Sequence, residues 1–320
     1  MATSLDRVPT SDDIRETHRL IRHLIHRTPV LRCASLDRMS GANLYFKCEN
    51  FQKVGAFKMR GAANAALRLS TAEQARGLAT HSSGNHAQAV ARAAQKLGVA
   101  AYIVMPENAP AVKVAATRGY GAEIIFCAST PEAREAKLRD VVQETGATFI
   151  HPFDNYDVIA GQATTALELL EDAPVDLAYL LTPVGGGGLA SGTALAVHYF
   201  SPRTTVLATE PFAVDDAYRS LAQGSIQKNA TTHTIADGLR TPLSTKTFEI
   251  IQKYIPEILR VEETAIVKAM RHVWERMKVI IEPSCAVPLA AVLTYPERFQ
   301  GQNVGIILTG GNVDLANLPF

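Results

Sequence analysis

Between residues 77 and 150, short apolar runs alternate with longer Ala-rich or amphipathic ones, a pattern that predicts strands alternating with helices. Residues 77–80 form an apolar run that enters Ser82-Ser83-Gly84-Asn85. Residues 86–97 read as a helix, with Gly98 as its stop. Residues 100–105 make a strand closed by Pro106, and 109–120 a helix stopped at Gly121. A strand over 123–127 follows. Ser129-Thr130-Pro131-Glu132 then offers a hydroxyl cap and a first-turn proline for a helix reaching Gly146, and 147–150 is the next strand. Such alternation predicts a parallel sheet with right-handed crossovers.

A second alternation lies further on. Residues 177–181 and 206–209 read as strands around a helix over 188–199. An amphipathic helix is expected over 261–279, and a buried strand over 304–308 enters Thr309-Gly310-Gly311-Asn312. We therefore expect two α/β lobes. Residues 75–150 form the small one, and residues 1–74 with 151–320 form the large one. A ligand in such folds sits beyond the carboxyl ends of the strands, here between the lobes.

Composition narrows the classes. Of 320 residues, 47% are apolar and 20% charged, which is a soluble globular composition. Lys and Arg total 32 against 31 Asp and Glu, so no positive excess is available for nucleic acid or an anionic membrane. The uncharged run 177–200 contains Pro183 and four successive glycines, which reads better as strand, loop and helix than as a membrane span. Residues 1–16 are polar and lack the apolar core of a secretory signal. Cys33, Cys48, Cys127 and Cys285 are scattered, as reduced thiols of a cytoplasmic protein would be.

Three motifs carry chemistry. Gly185-Gly186-Gly187-Gly188 falls between a strand and a helix, where bare backbone N–H groups hold a phosphate. It matches neither GxGxxG nor GxxxxGK[ST]. Ser82-Ser83-Gly84-Asn85-His86 occupies a similar turn and suits a carboxylate, although Ser and Asn are also ordinary caps. Lys58 lies in Ala56-Phe57-Lys58-Met59-Arg60-Gly61-Ala62, where apolar neighbours could desolvate its amine and make it nucleophilic. Alone, a lysine is usually a surface residue. Together, the three suggest pyridoxal phosphate acting on an amino acid.

Asn50-Phe-Gln-Lys-Val-Gly-Ala-Phe-Lys58-Met-Arg-Gly-Ala, Ser82-Ser-Gly-Asn-His-Ala-Gln-Ala, the four glycines and Thr309-Gly-Gly-Asn-Val-Asp314 resemble the fold-type II pyridoxal-phosphate enzymes. The resemblance runs from about Arg27 to Leu315. It is nearest to the branch of serine racemase, threonine/serine dehydratase and 3-hydroxyaspartate ammonia-lyase. It implies a two-lobed, tryptophan-synthase-β-like fold with parallel-type sheets, helices on both faces and the active site between the lobes.

The resemblance also implies roles. Lys58 is the Schiff-base lysine and proton acceptor, and Ser83 the acid/base of the opposite face. Phe57 and Asn85 contact the cofactor ring, Gly185, Gly186, Gly187 and Gly188 hold its phosphate, and Thr309 faces its pyridine nitrogen. A neutral hydroxyl there cannot keep that nitrogen protonated, which weakens the electron sink and suits elimination and racemisation. Ser82, Ser83, Asn85 and His86 are substrate ligands. Glu210, the Val214 carbonyl and Asp216 would hold Mg²⁺, or else Ca²⁺ or Mn²⁺, where spacing alone reads as a solvated acidic turn. Arg134 and Thr241 face the substrate, and Arg134 or Arg240 could take a second carboxylate bidentately.

The implied activity is β-elimination from a β-hydroxy-α-amino acid, 3-hydroxyaspartate or else serine or threonine, giving a 2-oxo acid and ammonia. Serine racemase with side dehydratase activity is the alternative. A homodimer is the expected assembly. A sequence ending at Phe320 leads us to expect no isoleucine feedback. Rival readings are a cysteine-synthase-type replacement enzyme, a dinucleotide oxidoreductase and a non-catalytic amino-acid-binding protein.

Overall fold

The computed structural model describes residues 3–109 and 111–320. Apolar runs too short for helices become strands of two sheets. In the larger sheet the order is β1 (Val30–Leu31), β2 (Asn43–Cys48), β10 (Asn303–Leu308), β7 (Tyr179–Pro183), β8 (Thr205–Pro211) and β9 (Ile258–Val261). Its strands run parallel except that β1 pairs antiparallel with β2. Register sets Asn43 beside Asn303 and Cys48 beside Leu308, so β2 and β10 end together. The smaller sheet, all parallel, has the order β5 (Glu123–Cys127), β4 (Ala101–Pro106), β3 (Leu78–His81) and β6 (Thr148–Phe149).

Helices cover both faces of the larger sheet, and this is why β2, β7 and β10 are almost wholly buried. One core gathers Phe46, Leu207, Ile266, Val287 and Ile306, and the other Tyr45, Leu180, Leu195, Ile251 and Ile307. Alternate residues of β2 and β10 therefore serve opposite faces. The helices Lys58–Arg68, Tyr156–Asp172 and Gly188–Phe200 meet through glycines. A Cβ on Gly161 would lie 2.5 Å from Gly61 Cα, and one on Gly192 would lie 2.6 Å from Ala163 N. These close approaches set the start of the Lys58 helix and the start of the Gly188 helix against one frame. The core beside the smaller sheet also crosses between the units, since Met59, Ala62 and Ala66 pack with Ala87, Val90 and Ala94.

Three sequence expectations need correction. Residues 261–279 are not one helix: Val261 pairs with Pro211 in β9, the helix is Glu263–His272, and a π-helical turn over Val273–Met277 ends at Lys278 with φ +60°. The apolar period through Ile266, Met270 and Val273 is real, but sheet pairing takes the first residue. The strand expected over 100–105 is Ala101–Pro106, with Pro106 as its last residue, opposite Cys127. The helix expected over 109–120 is Ala111–Arg118, with Pro110 outside the described residues, as are Met1 and Ala2 of the polar N-terminal stretch. The four cysteines are free. Among the described residues no helix is long and apolar enough to cross a membrane.

Candidate active site

Lys58 opens its helix with its amine held among large neighbours. Nζ donates to the Pro152 carbonyl at 2.9 Å and lies 5.1 Å from the centre of the Phe57 ring. Loss of water pulls the amine down to about 8, against the opposing field of Glu282. Phe57 N donates to the Thr309 carbonyl at 3.0 Å, and Ala56 bridges to Gly310. This ties the lysine to the carboxyl end of β10, where Thr309 is buried.

β7 delivers the glycines, all buried, and the Gly188–Phe200 helix follows with no side-chain cap. Its first N–H groups are open donors at a positive helix end. Side chains could not replace these glycines. A Cβ on Gly185 would lie 2.9 Å from Leu239 Cα, one on Gly186 would lie 2.4 Å from Phe153 Cδ1, and Gly187 has φ +89°.

β3 delivers Ser82 to His86 in the same way. Ser82 Oγ accepts from Gly84 N at 3.2 Å, and the Asn85–Leu97 helix likewise begins without a side-chain cap. Asn85 is fixed from both sides: Nδ2 donates to Glu282 Oε1 at 2.8 Å, and Oδ1 accepts from Asn312 Nδ2 at 2.9 Å. One Nδ2 hydrogen is left over. The His86 ring is turned to the Ile150 carbonyl, with Nε2 at 3.0 Å, and burial holds it neutral, its pKa well below the usual value. What His86 can offer a carboxylate is therefore its backbone N–H.

Other sequence candidates lie around this centre. The half-buried Arg134 has its charge close enough to His81 and Cys127 to act on both. Thr241 is exposed, and Arg240 donates to the Thr234 carbonyl at 2.7 Å, which draws it away from a substrate. Glu210 accepts from Ala217 N and Tyr218 N at 3.1 and 3.0 Å, while Asp216 accepts from Asn229 and from Leu243 N. Burial and mutual repulsion raise the Glu210 carboxyl well above its usual value, and burial raises Asp216 to about 6. Val214 is buried between them in the chain. Asp215 instead pairs with Arg219 and Arg260 at 2.7 and 2.8 Å. Among the described residues no three His, Cys, Asp or Glu side chains converge as a metal cluster.

Sequence reasoning missed Glu282, Pro152 and the 2.5 Å ion pair of Lys113 with Asp237. Burial, followed by the Asp237 charge, pushes Glu282 up to about 8. Its only signal is a lone carboxylate in the apolar run 279–286.

Residues 21–310 match the family model of the pyridoxal-phosphate dependent enzymes. The chain belongs to that family. It is 48% identical to the serine racemase of Dictyostelium discoideum, over 97% of this chain and 96% of that protein. It is also 48% identical to the L-threo-3-hydroxyaspartate ammonia-lyase of Saccharomyces cerevisiae, over 96% and 94%. The structure of maize serine racemase superposes with a TM-score of 0.94 at 45% identity, covering 97% of this chain and 95% of that one. The residues present fit the family's cofactor: a desolvated lysine, a glycine cradle at an uncapped helix start and the buried Thr309 hydroxyl all border one centre.

Proposed function

We propose that this enzyme is a pyridoxal-phosphate-dependent dehydratase, an ammonia-lyase, acting on a β-hydroxy-α-amino acid, with 3-hydroxyaspartate favoured over serine and threonine. The observation that carries it is the desolvated Lys58 amine, poised at about 8 between the glycine cradle and the uncapped helix at Asn85. Gly185 to Gly188 hold the cofactor phosphate, Phe57 and Asn85 its ring, and Thr309 faces its nitrogen. When bound, the cofactor supplies the electron sink for charge left at Cα. Ser82, Ser83 and the N–H groups of Asn85 and His86 bind the substrate carboxylate. Lys58 takes the Cα proton. The β-hydroxyl departs as water, and hydrolysis of the released product gives a 2-oxo acid and ammonia. Arg134 takes the second carboxylate, since Arg240 is engaged elsewhere; Thr241 lines the same side. Residues 75–150 act as the small mobile domain on a large domain of 1–74 and 151–320.

A second reading, racemisation, rests on Ser83, whose hydroxyl has no hydrogen-bond partner among the described residues, and on the serine racemase relative. The two separate in a panel of serine, threonine and hydroxyaspartate isomers, measuring ammonia release and deuterium uptake at Cα. Lys58→Ala should abolish both; full ammonia release by it sinks the assignment. Arg134→Leu should lower kcat/KM for 3-hydroxyaspartate by about tenfold or more while sparing serine. An equal loss on both substrates would count against that role.

Glu210, Asp216 and the Val214 carbonyl hold a divalent cation, Mg²⁺ favoured, because two crowded buried carboxylates gain from a positive partner. Below about 6, protons compete for Asp216. The gain in melting temperature from Mg²⁺ over chelator should therefore be larger at alkaline than at acid pH; a gain independent of pH would exclude this site. The enzyme works in the cytoplasm, where four unpaired thiols persist, as a homodimer that light scattering would register.

A further inference from the structure

The segment that carries the chain from β6 to the Tyr156–Asp172 helix touches Lys58, His86 and the glycine loop. Its Ile150 carbonyl accepts from Thr80 Oγ1 at 2.9 Å and faces His86 Nε2 at 3.0 Å. Its Pro152 carbonyl accepts from Lys58 Nζ at 2.9 Å. Its Phe153 ring lies against Gly186, and the Phe153 Cβ and backbone lie against Gly188. Its Asp154 carboxylate accepts from Ser244 Oγ at 2.7 Å and Lys246 N at 3.3 Å. Both ends are thus anchored. The middle is held by one side chain: His151 Nδ1 accepts from Phe153 N at 3.2 Å and from Asp154 N at 2.8 Å.

We propose that His151 is a positioning residue, whose Nδ1 lone pair holds the turn that presents the Pro152 carbonyl to the free amine of Lys58. The inference rests on the reading of Lys58 as the cofactor-bearing lysine. A carbonyl can only accept, so it orients Lys58 Nζ whether that nitrogen is protonated or neutral, and it keeps the remaining valences turned elsewhere. Two backbone donors on Nδ1 require that nitrogen to be bare, which places the ring proton on Nε2. The surroundings keep the ring that way. His151 is enclosed by Phe149, Phe153 and His81, the Phe153 ring standing edge-on at 4.6 Å. Burial lowers it to about 4; Asp154 opposes this, while the charges of His81, Lys58 and Lys246 add to it. His86 also lies within electrostatic range. The imidazole is neutral across the range in which the Lys58 amine titrates.

The test compares side chains by where they put an acceptor. Asn carries an oxygen at the reach of Nδ1 and closes such turns readily; Gln carries it one methylene further, and Ala carries none. Apoprotein of wild type, His151→Asn, His151→Gln, His151→Ala and Lys58→Ala is mixed with pyridoxal phosphate across a pH series, and capture is followed by visible absorbance. His151→Asn should capture within a few-fold of wild type, and His151→Gln and His151→Ala more slowly by about tenfold or more. The pH inflection of capture should also fall by roughly half a unit or more in those two, because the carbonyl no longer favours the ammonium form. Melting curves separate poor folding from poor positioning, and the Asn and Gln pair settles the matter if the alanine variant does not fold. Equal rates and inflections for Asn and Gln overturn the proposal alone. Capture by Lys58→Ala overturns it together with the reading of Lys58.

Discussion

Gly186 and Phe153 sit so close that each dictates the other. A methyl on Gly186 would enter the Phe153 ring, with Cδ1, Cε1 and Cγ all within 2.6 Å. Since Phe153 is next to the carbonyl that holds Lys58, the clash must shift either the glycine loop or the turn. Gly186→Ala should therefore cost about 1–3 kcal/mol and weaken cofactor binding. Adding Phe153→Ala should recover part of both losses. Urea midpoints and cofactor titrations of the single and double variants check this, and strictly additive losses would mean the two do not meet. At this scale the sequence discloses residues that act as local motifs. The glycines and Ser82 to His86 stand out because each follows a strand and starts a helix, and Lys58 because apolar residues flank it. Pro152 acts through its backbone carbonyl and His151 by accepting from backbone N–H groups, neither of which residue type announces. Glu282 becomes notable only when folding sets it on Asn85, 197 residues away in the chain.

The Lys58–Arg68 helix is the element on which the site depends, and a buried charge cluster fixes it. Arg60 Nε and Nη2 donate to Glu49 at 2.7 and 2.8 Å, and Nη1 and Nη2 donate to Glu168 at 2.9 and 2.6 Å. Lys47 reaches Glu168 at 2.8 Å, and His18 does so at 3.0 Å. Burial alone would raise the Glu168 carboxyl, but His18, Arg60 and Lys47 together hold it well below its usual value. Removing one partner leaves buried charge uncompensated, so Arg60→Met should destabilise by about 3–5 kcal/mol. A loss under about 1 kcal/mol in urea would show that the cluster does not anchor the helix. Elements with a local signal were legible: strand–helix alternation gave the smaller sheet and β7, β8 and β10. The Arg60 cluster was not, because Arg60 finds Glu168 from 108 residues away. The helix over 261–279 failed for a related reason, since its apolar period continues through a residue that pairs in β9.

Over the whole molecule, residues 75–150 meet the rest through a seam part apolar and part polar. The apolar part joins the Lys58 and Asn85 helices. The polar part is Lys113 with Asp237 and Asn85 with Glu282 and Asn312. Glu282 makes this seam sensitive to pH. In the folded apoprotein it keeps its proton up to about 8, whereas unfolded it ionises near the ordinary carboxyl value of 4.5. Between those limits the folded state binds the extra proton, so its contribution to stability is complete in acid and is lost as pH rises through about 8. Lys58, lowered to about 8, works the other way, gaining stability as it deprotonates in the fold before it does so in the unfolded chain. That opposing trend begins only near pH 8, where Lys58 titrates, so the lower part of the interval isolates Glu282. Glu282→Gln retains an acceptor for Asn85 and carries no proton to lose. Relative to wild type it should gain stability between about pH 6 and pH 8, at up to roughly 1.4 kcal/mol per pH unit. Urea midpoints of both apoproteins across that interval measure the gain. Two stability curves that stay parallel would mean that Glu282 is already ionised in the fold and that the seam carries a charge there, with Lys113 as its counterion.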